Sequence, residues 1–133
     1  MKYNTLNVLS LAYLGDAIYE LYIRKFLIEK GIVKVEKLQK EAINYVSAKR
    51  QAFFLKEMYQ NDFFDETEKQ IINRARNHKG NRHPKNTDIL TYKHSTGLEA
   101  IIGYLYLNKN ISRIEDIMNY ILEVNKCIYM EKM

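Results

Sequence analysis

The stretch from Leu6 to Ile28 decides the fold class. Its apolar residues, among them Leu6, Leu9, Ala12, Tyr13, Ala17, Leu21, Leu27 and Ile28, recur at the spacing that lines one face of a helix. The segment is also apolar beyond that face, since Leu11, Leu14, Ile18, Tyr19 and Tyr22 leave few positions for water. A helix that is apolar most of the way round must be covered on two sides. Gly15 interrupts the run beside Asp16, and there the pattern predicts a kink or the close approach of a second helix.

Helical signals continue down the chain. A second helix is predicted from about Val35 to Tyr45, and Ser47 reads as the N-cap of a third that carries Phe53, Phe54, Leu55 and Met58. Asp65 with Glu68 three residues on is a capping box opening a helix toward Arg76. Ser112 with Glu115 repeats that pattern before a last helix from Ile114 to about Tyr129. Between them Asn77 to Tyr92, with Gly80 and Pro84, reads as a loop of about fifteen residues, a length that in compact domains is usually functional or mobile. Strand alternation, internal repeats and low-complexity tracts are absent from the sequence. The expectation is an all-α helical bundle, one domain over residues 1–133 with a basic loop at about 77–92. No apolar run approaches the roughly 18 residues of a membrane helix, and the first residues lack a signal-peptide core.

Charge is placed unevenly. The net charge is only +5, but from Lys69 to Lys93 stand Lys69, Arg74, Arg76, Lys79, Arg82, Lys85 and Lys93 against one acid, Asp88. That leaves fourteen basic and fifteen acidic residues for the rest of the chain, which is close to neutral. A concentrated basic block points to a polyanion, with a merely solvated loop as the alternative. The single Cys127 cannot form an internal disulfide, so a reducing cytoplasm is expected. Its place in the last helix reads as a small buried hydrophobe.

Two carboxylates stand out. Asp16 lies in the apolar run Leu11-Ala12-Tyr13-Leu14-Gly15-Asp16-Ala17-Ile18-Tyr19-Glu20, where a charge is costly unless a metal, cation or donor satisfies it. Glu20 lies one turn on, on the same face. Glu99 lies in a similar run, Ser95 to Leu105, although Thr96-x-x-Glu99 also matches a capping box at a helix start. His78, His83 and His94 flank the basic block, but their spacing fits no zinc template, and they read as phosphate neighbours or bystanders. No Gly-rich phosphate loop and no nucleophile elbow is present.

These segments resemble a known family. Leu11 to Glu20 is similar to the ribonuclease III signature, in which Phe-Leu-Gly-Asp-Ala sits on a buried helix, and Leu98 to Leu107 resembles that family's second acidic motif. Glu41 to Lys49, Arg74 to Asn77 and Pro84 to Asp88 are similar to segments of its Mini-III subfamily. Two departures narrow the resemblance: Ala12 and Thr96 stand where full-length ribonuclease III places acids, as they do in Mini-III. The chain also stops at Met133, so no double-stranded-RNA-binding domain is expected to follow.

The resemblance implies a homodimeric, Mg²⁺-dependent endoribonuclease, with the first helix covered by the partner subunit. Asp16 and Glu99 would be the catalytic residues and the acidic metal ligands, and Mg²⁺ would take its remaining oxygens from water and RNA phosphate. Arg74, Arg76, Asn77, Lys79, Lys85, Thr87 and Thr96 would bind duplex RNA. Products would carry 5′-phosphate and 3′-hydroxyl ends, and the expected substrate is a stem in the precursor of large-subunit (23S) ribosomal RNA. No small-molecule cofactor and no membrane is implied. Two rival expectations are a non-catalytic duplex-RNA-binding module and a helical protein-interaction domain.

Overall fold

The computed structural model describes residues 6–78 and 88–131, with side chains as far as Cys127. Its elements are α1 (Val8–Glu29), α2 (Val35–Val46), α3 (Ala48–Gln60), α4 (Glu66–Arg76), α5 (Ile89–Leu107) and α6 (Ile111–Glu131). No strand occurs among the described residues. The fold is therefore all-α, as the periodicity implies. α5 runs through the centre and touches α1, α3, α4 and α6. Its residues Leu98, Ala100, Ile101, Ile102, Gly103 and Leu105 are all buried, as a helix packed on every side requires.

Local chemistry sets most helix ends. Asn7 caps α1 by accepting from Leu9 N at 2.8 Å, and Ser47 caps α3 by accepting from Arg50 N at 3.2 Å. Asp65 and Glu68 form the expected capping box on α4, at 2.8 and 2.9 Å. Two expected boxes are not there. α6 begins at Ile111, where the Asn110 side chain accepts from Arg113 N, so Ser112 is helical and not the cap. α5 begins at Ile89 behind the cap of Asp88, which accepts from Thr91 N at 2.9 Å. The region read as loop up to Tyr92 thus ends earlier than the sequence suggests.

Polar ties join helices across the bundle, three of them built on Tyr19, Arg50 and Arg113. Tyr19 Oη, fully buried in α1, donates to the Tyr45 carbonyl of α2 at 2.6 Å. Arg50 reaches Asn125 Oδ1 of α6 at 2.6 Å and the Asn44 carbonyl at 3.0 Å, with its guanidinium over Phe53 and Phe54. Arg113 of α6 grips Glu68 of α4 with two hydrogen bonds of 2.8 and 2.9 Å, and donates to the Phe63 carbonyl at 2.7 Å. Cys127 is exposed on α6, contrary to the buried expectation, because Ile121 and Asn125 take the inward face there.

Candidate active site

The site is made by the crossing of α1 and α5. A Cβ on Gly15 would lie 1.7 Å from the Glu99 carbonyl oxygen, and one on Gly103 would lie 2.0 Å from that of Leu11. Only glycine allows backbones to touch in this way. The interruption at Gly15 is therefore a close approach and not a kink within α1, which is one continuous helix. The contact places Asp16 of α1 beside Glu99 of α5, with their side chains in hydrogen-bonding reach.

The two carboxylates differ in setting. Asp16 is exposed, so the expectation of a charge embedded in the core does not hold for it. Glu99 is half-buried, the more enclosed of the two. Burial, first, and then the hydrogen bond and charge of Asp16 push its carboxyl up to about 9, with Glu20 adding to the rise. The charged neighbours that act most strongly on Glu99 are thus both acids. Glu20 itself is taken up by Arg24, at 2.7 and 3.1 Å. Glu99 is also no cap: it lies ten residues into α5, and Thr96 donates instead to the Tyr92 carbonyl at 2.9 Å.

A residue that sequence reasoning missed completes this shell. Gln51 of α3 is 2% exposed and accepts a short hydrogen bond from Ser95 Oγ of α5. Its Nε2 is buried and has no hydrogen-bond partner, and Gln51 favours the ionised form of Glu99.

The basic residues lie on the neighbouring end of α4. Arg74 is exposed and donates to the Leu6 carbonyl at 3.0 Å, while Asn77 is the exposed C-cap of α4. Arg76 packs on Gly97, where an added Cβ would lie 3.0 Å from its Cγ. Lys69 is engaged with Glu66 and Asp62 at 3.5 and 3.6 Å, which subtracts it from the free positive charge. Lys79, Arg82, His83, Lys85 and Thr87 lie outside the described residues. Thr96, expected to touch RNA, is 3% exposed, and its hydroxyl is already engaged, so it corrects to a structural position. His94 is buried in α5, held down to about 4 by burial together with Arg76 and Lys56, and is neutral at pH 7.

The donor set suits a hard cation. Asp16 and Glu99 offer only oxygen, and a buried carboxyl beside other acids gains most from a positive ion. No cluster of three His, Cys, Asp or Glu that could hold a metal occurs among the described residues.

The chain is similar to known proteins over most of its length. Residues 9–110 match the family described as Ribonuclease III domain. The chain is 42% identical over 120 residues to the Mini-ribonuclease 3 of Streptococcus pneumoniae, covering 90% of this chain and 94% of that one. It is 45% identical over 115 residues to the Mini-ribonuclease 3 of Brevibacillus brevis, covering 86% and 84%. A crystal structure of a protein from Fusobacterium nucleatum superposes with a TM-score of 0.79 at 38% identity, over 88% of this chain and 93% of that one.

Proposed function

The chain belongs to the ribonuclease III family and is an endoribonuclease, and from that premise we propose that it cuts double-stranded RNA with a divalent cation, Mg²⁺, held by Asp16 and Glu99. The observation that carries the cation is Glu99: a largely buried carboxyl whose charged neighbours are acids, open to solvent on the side of the exposed Asp16. When bound, the cation supplies charge to the scissile phosphate and acidifies water so that it attacks phosphorus. The chain's own residues do the rest. Asp16 and Glu99, set beside each other by the glycine crossing, would hold the cation as carboxylates. Arg74, Arg76 and Asn77, with Lys79, Lys85 and Thr87, bind phosphates and hydroxyls along the duplex, which is read by shape and backbone. The bond to the 3′ oxygen breaks, leaving 5′-phosphate and 3′-hydroxyl ends.

A homodimer is part of the same reading. Tyr13 is 85% and Leu21 65% exposed on the outer face of α1, beside a groove of about 430 Å³ lined by Leu14, Ala17, Ile18, Leu21 and Tyr106. Apolar surface of this kind marks an interface. A second copy placed on it would give two sites, one for each strand. No helix among the described residues is long and apolar enough to cross a membrane. The substrate we favour is a stem of precursor 23S ribosomal RNA in the cytoplasm.

One assay tests the reading. Long duplex RNA incubated with the protein should be cut when Mg²⁺ is present and left intact in EDTA, and light scattering should give twice the 15.9 kDa chain mass. Changing Arg74, Arg76, Lys79 and Lys85 together to Ala should weaken duplex binding and flatten its salt dependence, because fewer counterions are released. Salt-sensitive binding without cleavage under any divalent cation would instead identify a binding module.

A further inference from the structure

We propose that Gln51, locked by Ser95, is a positioning residue for Glu99: its amide holds the inner side of the buried carboxylate so that Glu99 faces Asp16 and can ligate a divalent cation. The inference rests on the cation reading given above and extends it to a residue that touches neither RNA nor metal.

Three observations support it. Gln51 and Ser95 are only 2% and 4% exposed, and an inward position on α3 is filled at less cost by leucine than by a buried amide. Ser95 lies one helical turn before Glu99, so the same face of α5 presents the hydroxyl and the carboxyl to Gln51. Ser95 Oγ donates to Gln51 Oε1, which occupies the oxygen end of the amide and leaves its nitrogen end as the free one. Nε2 is thus a buried donor without a hydrogen-bond partner, on the residue that contacts α5 one turn before Glu99.

The arrangement has a direct consequence for the cation. In its absence Asp16 and Glu99 face each other through a hydrogen bond. Once a cation takes that place, the bond between the acids is gone, and the Gln51 amide is what still orients Glu99 from behind. A carboxylate so held presents the same oxygens each time; one without the amide is free to rotate and binds more weakly.

Mn²⁺ binding to the RNA-free protein, by isothermal titration calorimetry at pH 7.5, tests this. Gln51→Met keeps the side-chain volume and removes the donor. It should weaken Mn²⁺ binding roughly 10-fold or more, the scale of a hydrogen bond to a charged group, while duplex KM stays at the wild-type value. Ser95→Ala, which frees the amide to turn, should weaken Mn²⁺ in the same sense by a smaller factor. Wild-type Mn²⁺ affinity in a folded Gln51→Met protein overturns the proposal. If that variant does not fold, unchanged affinity in Ser95→Ala overturns it instead. Glu99→Gln is measured alongside. Undiminished Mn²⁺ binding there brings down the cation reading itself, whereas loss there with no change at Gln51 rejects the positioning role alone.

Discussion

Glu68 and Glu99 are both acids withdrawn from water, and the fold treats them in opposite ways. Glu68, with its side chain 4% exposed, receives the forked guanidinium of Arg113 and the backbone N–H of Asp65. Glu99 receives other acids and one neutral amide. A carboxylate that serves only to join two helices is given its cation by the chain, because an unpaired buried charge costs several kcal/mol. A carboxylate left without one is unfinished as a structural element. The contrast separates a joint from a binding site using charge alone.

The contrast can be broken most visibly at Glu99. Glu99→Gln and Asp16→Asn should each lower duplex cleavage by orders of magnitude, since the charge a divalent cation needs is removed. Both should still bind duplex RNA in a gel-shift assay. Glu99→Gln should melt at or above the wild-type temperature in the absence of divalent ions. A Gln variant that cuts normally would return Glu99 to the same category as Glu68.

Arg113→Ala attacks the other member of the pair. It strands Glu68 and should cost about 3 kcal/mol by urea unfolding, the low end for breaking a buried pair, because Arg113 is partly exposed (23%). Its Mn²⁺ affinity should match the wild type at temperatures where it is folded. A coupled loss of affinity would mean that the joint and the site are one network.

The last effect is spread along a pH slope. Glu99 ionises near 4.5 in the unfolded chain and only at about 9 in the fold, so between those values the folded protein keeps a proton that the unfolded one has released. Stability of the cation-free protein should therefore fall as pH rises across that window, by at most about 1.4 kcal/mol per pH unit. Melting curves from pH 5 to 9 should show the decline in the wild type. Glu99→Gln should flatten it, and added Mg²⁺ should offset it at the alkaline end. An identical slope in the Gln variant would place the titrating group elsewhere.

How far the sequence reached depends on range. Caps formed by neighbours, such as Ser47 and the Asp65–Glu68 box, are readable because both partners lie within one helical turn. The same short pattern misleads at Thr96–Glu99 and Ser112–Glu115, since a Thr in mid-helix can donate back to a carbonyl four residues earlier and the real caps, Asp88 and Asn110, lie outside the pattern. Asp16 and Glu99 are legible as a pair through resemblance to known motifs, while the burial of one and exposure of the other follow from packing. Gln51 is not legible at all. Beside Lys49 and Arg50 it looks like an ordinary polar helix residue, and its partner Ser95 lies 44 positions away. The left-handed turns that end α3 and α5 are equally hidden, because Asp62 and Lys109 hold them where glycine would be the usual signal.

The contact between Gly15 and Gly103 has one more consequence, and it concerns tolerance. Where two helices are spaced by side chains, any rotamer change or core substitution alters the gap between them. Here main chain meets main chain, so the span from Asp16 to Glu99 is gauged by backbone van der Waals contact and does not inherit the slack of the surrounding core. Substitutions in α2 or α6 can lower the melting point without detuning the distance on which the two carboxylates depend. Stability and site geometry are thus free to vary independently of each other.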